Sequence, residues 1–120
     1  MTLHDFLHAN QLCNNSFVQH DSFLELYLRI GPRYVDISHK LVYLDRVLQI
    51  ARVAAKVPKT GALRQLVGDV DRISGCKLPI YIENLYNSAA AQGILRSDLG
   101  FMEVDQKSPH ATCLLRPAVL

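Results

Sequence analysis

From Leu24 to Ile30 the side chains alternate strictly, with Leu24, Leu26, Leu28 and Ile30 on one side and Glu25, Tyr27 and Arg29 on the other. A period of two puts each set on its own face of a pleated strand, so the segment predicts a strand with one packed face, interrupted at Gly31-Pro32. "RYVDI" and "KLVYL" predict two shorter strands, the arms of a hairpin joined through Ser38-His39. Residues 47 to 55, "VLQIARVAA", are apolar on both faces apart from Gln49 and Arg52. That pattern suits a central strand with helices on both sides of the sheet.

The period then changes. Leu63, Leu66, Val67, Val70 and Ile73 recur at helical spacing, Arg64, Gln65, Asp69 and Arg72 face away, and Gly75 supplies a left-handed C-terminal residue. Gly68 weakens this helix by about 1 kcal/mol relative to alanine. "KLPIYIENL" predicts a second strand, with Pro79 near its start, where a missing amide is tolerated. Strand, helix and strand in this order form a parallel crossover.

At the start of the chain, Thr2 and Asp5 form a helix N-terminal box, and Leu3, Phe6 and Leu7 share the buried face of a first helix that ends near Asn14–Asn15. "AAAQGILRS", capped by Asn87 or Ser88, predicts a short helix, and "GFMEV" and "ATCLLR" predict two closing antiparallel strands. The expected fold is α/β, a central mixed sheet flanked by helices, in one domain over residues 1–120.

Charge narrows the function classes. Thirteen basic against eleven acidic side chains leave +2, without the concentrated basic stripe that binding by counterion release needs, so no nucleic-acid partner is expected. Cys13, Cys76 and Cys113 have no zinc-knuckle spacing and read as reduced thiols of a cytosolic protein. The opening "MTLHDFLHANQL" lacks a cationic start and an apolar run, and no stretch is long and apolar enough to span a bilayer, so the expectation is a cytoplasmic protein without a membrane partner. His4 and His8 share a helical face but have no third ligand at recognisable spacing, so no metal is expected. Cys76 has Lys77 alone beside it, weak support for a nucleophile. Arg29, Arg33, Tyr27 and Tyr34 form a basic-aromatic patch on a strand's outward face, open to a partner.

The stretch "AAKVPKTGALRQLV" breaks an apolar run with a one-glycine loop and opens an amphipathic helix. A helix N-terminus offers unpaired N–H groups and about half a positive charge, which hold an anion wherever the preceding loop lets it approach. Gly61 has no side chain to block that approach, and Lys56 and Lys59 add point charges. An ordinary strand-to-helix turn with an exposed basic pair fits the same residues.

Three motifs in this order resemble the GNAT acyltransferases, which use acetyl-CoA or another acyl-CoA as donor: the central strand and Gly61 loop of "QIARVAAKVPKTGALRQLV", the neighbouring strand "IYIENLYN", and Gly100-Phe101 before the next strand. The likeness covers roughly residues 24 to 104 and is greatest to small phage-encoded members. It departs from the family pattern where Lys59 stands for an expected glycine, and the helix after Asn87 lacks the usual tyrosine acid.

The resemblance implies a GNAT-like fold in which the central strand and its neighbour splay apart. The backbone around Arg52, Val53 and Ala54 would then receive the acyl-CoA. The loop Lys56, Lys59, Thr60, Gly61 and Ala62 would hold its pyrophosphate, and Asn84 or Asn87 would bond it from the adjacent element. Asn87 serves equally as a helix cap. Glu83 is the candidate base and Tyr86, close to Tyr81, the candidate acid. The implied activity is acetyl transfer to an amine acceptor, including one on a protein. The alternative is a degenerate binding module that docks onto a host protein in the host cytoplasm. A homodimer is compatible with either.

Overall fold

The alternation that begins at Leu24 does not stop at Gly31-Pro32. In the computed structural model, which describes residues 1–9, 13–57, 61–75, 78–85, 88–106 and 111–118, one strand runs from Phe23 to Ile37 and its partner from Lys40 to Ala55. The three strands expected between residues 33 and 55 are therefore parts of two. Pro32 survives inside a strand because a register shift between Gly31 and Arg33 takes it out of the ladder, the setting in which a missing N–H costs least. A second shift between Phe23 and Glu25 overturns the place given to Leu24: it bulges outward and is exposed, while Phe23, Leu26, Leu28 and Ile30 are buried.

The elements are α1 (Leu3–His8), β1 (Asn14–Phe17), β2 (Phe23–Ile37), β3 (Lys40–Ala55), α2 (Ala62–Ser74), β4 (Ile80–Leu85), α3 (Ser88–Leu95), β5 (Met102–Val104) and β6 (Thr112–Arg116). The strands form one mixed sheet in the order β1-β2-β3-β4-β6-β5. Only β3 and β4 run parallel, joined by α2 as the crossover; every other neighbouring pair is antiparallel. The first helix is shorter than expected, and Asn14–Asn15 begins β1 instead of ending α1. Thr2 still caps α1, its hydroxyl accepting from the Asp5 N–H at 3.1 Å.

The sheet's two faces are covered differently. Leu3, Phe6 and Leu7 of α1, Leu66, Val67 and Val70 of α2, and Ala91 and Ile94 of α3 share one core with Leu28, Leu48, Ile50, Ile80, Ile82 and Leu114. The opposite face carries Val35, Val47, Tyr81, Val104, Cys113 and Leu115. No helix among the described residues packs there, which corrects the expectation of helices on both sides. The cover comes from the far half of the β2–β3 hairpin, which bends at the Gly31–Arg33 bulge and reaches the distant edge of the sheet. There the Asp105 N–H donates to the Asp36 carbonyl at 3.0 Å, and the Asp36 N–H donates to Asp105 Oδ1 at 2.7 Å.

The hairpin turn puts Ser38 at φ 52° and His39 at φ 68°, both left-handed and both without glycine. A side chain there costs about 1–2 kcal/mol per residue, partly offset on substitution by the greater freedom of unfolded glycine. His39→Gly is expected to stabilise the fold by about 0.5 kcal/mol, read as a higher urea midpoint at unchanged slope.

Candidate functional site

The β3–β4 ladder is short. Leu48, Gln49 and Ile50 pair with Ile80, Tyr81 and Ile82, yet β3 runs on to Ala55 and β4 to Leu85 without pairing to each other. Each arm bulges just past the last pair. On β3, Tyr27 faces Arg52 while Leu28 faces Ile50, so Ala51 is the extra residue. On β4, Ile82 faces Leu114 and Leu85 faces Thr112, so the strand gains a residue around Glu83–Asn84. Bulges bend a strand and sharpen its twist, and two of them at one level part the arms into a wedge.

Arg52, Val53 and Ala54 lie on the β3 arm, laddered to Tyr27, Leu26 and Glu25 on one side and, among the described residues, to no strand on the other. The Arg52 guanidinium points outward and pairs with Glu25 at 3.4 Å. Asn84 lies on the β4 arm. Lys56 follows the β3 arm, exposed, with its N–H donating to the Ser22 carbonyl at 3.0 Å. Lys59, Thr60, Tyr86 and Asn87 fall outside the described residues, as do Cys76 and Lys77.

Beyond the β3 arm, Gly61 sits at φ 75°, ψ 28° at the head of α2, and its carbonyl accepts from the Gln65 N–H at 3.0 Å. It offers no side-chain cap, so the first-turn amides, beginning with that of the buried Ala62, have no partner from the cap residue. Among the described residues, no atom lies within 4 Å of a Cβ built on Gly61. A groove of about 650 Å³ adjoins Lys56, lined also by Thr2, Gln19, His20 and Glu25; it lies on the β1 side and includes no residue of β4.

The wedge has a charged rim on the face away from the helices. Glu83, the first β4 residue past the ladder, accepts from Arg29 Nη2 at 2.5 Å through Oε2 and from Arg33 Nη1 at 3.0 Å through Oε1. Arg33 Nη1 also donates to Gln49 Oε1 at 3.1 Å, and Nη2 to the Tyr81 hydroxyl at 3.1 Å, with the guanidinium carbon 4.1 Å from the Tyr81 ring centroid. Tyr81 in turn donates to Asp105 Oδ2 at 2.5 Å. Burial pushes the Tyr81 hydroxyl far above the ordinary tyrosine range, helped by its bonds to Asp105 and Cys113 and opposed by the Arg33 charge. The basic-aromatic patch expected at Arg29 and Arg33 and the candidate base Glu83 are thus one cluster. Their shared parity was the available signal: Arg29, Gln49, Tyr81 and Glu83 all fall on the face opposite the packed leucines and isoleucines.

Other groupings are structural. His20 Nε2 lies 2.8 Å from Asp69 Oδ2, while Nδ1 accepts the Ser22 main-chain N–H at 3.1 Å and the Ser22 hydroxyl donates to Gln65 Oε1 at 2.8 Å. A serine, a histidine and an aspartate meet here without a nucleophile–base bond, and they fasten α2 to the β1–β2 turn. His4 and His8 stack at 4.1 Å, and no cluster of three metal-ligating side chains occurs among the described residues. No described helix is long and apolar enough to cross a membrane. No protein-family model, curated protein or solved structure matches the chain.

Proposed function

We propose that the chain is a GNAT-like acyl-CoA-binding domain that transfers an acetyl group to an amine. The observation that carries this reading is the parting of β3 and β4 directly after Ile50–Ile82, with a bulge on each arm. Main-chain groups on the inner edges of the arms are then available to an extended chain such as a pantetheine. The resemblance in sequence would require the same wedge at the same residues, followed by a glycine-opened helix, and Gly61 opens α2 from a left-handed conformation, with no atom of the described residues within 4 Å of a Cβ built on it. The residues present fit the donor: main-chain amides for the diphosphate, unpaired strand edges for the arm.

A second reading, a binding module without turnover, draws on the state of Glu83. Both its oxygens already accept from guanidiniums, so it is not poised to take a proton from an acceptor. In that case the domain holds acyl-CoA or CoA and acts by docking on a host protein.

Thermal unfolding with acetyl-CoA, CoA and an adenine nucleotide tests the proposal. At a hundredfold excess over the dissociation constant, a ligand of the native state adds about 2.7 kcal/mol, a shift on the order of 10 °C in a domain of this size. The expected result is a shift with acetyl-CoA and CoA, lost in Gly61→Asn. Asparagine tolerates the left-handed backbone, so the variant folds, but its side chain fills the space a diphosphate would enter. No shift with any of the three overturns the proposal. A shift without acetylated product from a panel of amines selects the binding module.

A further inference from the structure

We infer that Arg29 and Arg33 are positioning residues of the wedge, which hold the bulged arm of β4 through the Glu83 carboxylate and so preset the opening that receives the acyl-CoA. That the opening receives acyl-CoA rests on the reading above; that the arm is held does not.

The β4 arm lacks ordinary strand support where it bends. Ile82 pairs with Leu114 and Leu85 with Thr112, so the register gives Glu83 and Asn84 no partner on β6, and the ladder to β3 ends at Ile82. A bulge without ladder partners on either side is the part of a strand most free to move. Here a side chain supplies the missing hold. Glu83, 13% exposed, accepts from Arg29 through one oxygen and from Arg33 through the other. Arg29 belongs to β2 and faces Gln49 of β3, which in turn faces Tyr81 of β4, so its bond to Glu83 crosses the whole width of β3. Arg33 is itself fixed by Gln49, the Tyr81 hydroxyl and the Tyr81 ring. The arm is thereby tied to the Gln49–Tyr81 row, which is laddered.

Counted with the Asp105 carboxylate that Tyr81 bridges to Arg33, the cluster holds two guanidiniums and two carboxylates. It has no surplus charge with which to recruit or repel a ligand, and its strongest donors and acceptors already meet one another. What it fixes is position. A site whose walls stand in the bound arrangement before the ligand arrives binds more tightly than one that must be ordered on binding. Cutting the tether therefore lowers the affinity for a chain lodged between the arms while the fold stays intact.

Nuclear magnetic resonance of the full chain without ligand and calorimetric titration with acetyl-CoA test this together. In the unaltered protein the amide order parameters of Glu83 to Leu85 are expected near about 0.85, the level of rigid backbone, and in Arg29→Gln below about 0.6. Arg29 is half-exposed, so the variant folds, and unchanged order parameters over Leu48 to Ile50 check that it has. The dissociation constant for acetyl-CoA is expected to rise about tenfold in Arg29→Gln, the equivalent of one charge-assisted hydrogen bond, and by much less in Arg29→Lys, which restores a cation within reach of Glu83. An arm already loose in the unaltered protein, or one as rigid in Arg29→Gln as before, overturns the inference and leaves the acyl-CoA reading intact. So does an arm that loosens with no change in acetyl-CoA affinity. Absence of any acetyl-CoA binding by the unaltered protein overturns the acyl-CoA reading and, with it, the claim that the wedge is preset for that ligand.

Discussion

Arg116→Ala is expected to lower the unfolding free energy by about 3–5 kcal/mol, the range for removing one partner of a buried ion pair. The Arg116 side chain is 4% exposed, and Nη1 and Nη2 each meet one Asp71 oxygen at 2.6 Å. Nη2 also approaches the Leu78 carbonyl at 3.4 Å. Because Arg116 ends β6 and Asp71 lies in α2, this fork pins the crossover helix to a strand two places away from β3. Truncation leaves the Asp71 carboxylate, 20% exposed, without its cation. Asp71→Ala leaves the worse orphan, a guanidinium in the apolar layer between helix and sheet. Arg116→Met with Asp71→Leu is expected to recover most of the loss, since the cost of desolvating both charges disappears with them. Urea unfolding of the four proteins gives the coupling energy as a double-mutant cycle. A loss under about 1 kcal/mol for either single variant would mean that the pair behaves as a solvated one.

That pair also shows where sequence reading stops. Helix α2 was legible because its apolar stripe repeats at helical spacing, and Leu66, Val67 and Val70 are buried as the stripe requires. Strand β4 and the closing pair β5 and β6 were legible for similar local reasons. Asp71, by contrast, reads as the polar side of a helix and Arg116 as the end of a strand; nothing within 45 residues of sequence separation joins them. The two-sided burial expected of "VLQIARVAA" holds for Val47 to Ile50 and fails beyond them, where Arg52 and Ala54 are exposed, and periodicity reports that a face is covered and not by what. Val47 is covered by the curled half of its own hairpin, and Leu48 and Ile50 by helices. Strand β1, "NNSF", was missed because a short polar edge strand carries no alternation to read. At the candidate site, the wedge residues Arg52 to Ala54 and Glu83 were named from motif order. The embrace of Glu83 by Arg29 and Arg33 was not, because it spans β3 and depends on the bulge that redirects Arg33.

Above pH 10 the protein is expected to lose stability more steeply than its Tyr81→Phe variant, by about 1.4 kcal/mol per pH unit. Burial, and then the bond to Asp105, raise the native Tyr81 pKa far above the unfolded value of 10.0. Below that value both states hold the proton, and the contribution of Tyr81 is fully present. Above it the unfolded chain releases a proton that the native state keeps, so rising pH favours unfolding by one proton's worth per unit. The remaining tyrosines and the lysines titrate in both proteins and cancel in the comparison. At neutral pH the order is reversed. Tyr81→Phe strips a partner from Asp105 Oδ2 and from Arg33 Nη2, and each orphaned group costs about 1–3 kcal/mol. The variant thus begins less stable and loses less on alkalinisation, so the two curves of unfolding free energy converge as pH rises from 10 to 12. Urea midpoints collected at half-unit intervals read this directly. Parallel curves would mean that the hydroxyl ionises in the native state as readily as in water, and that the contact closing the hairpin over the sheet does not hold its proton.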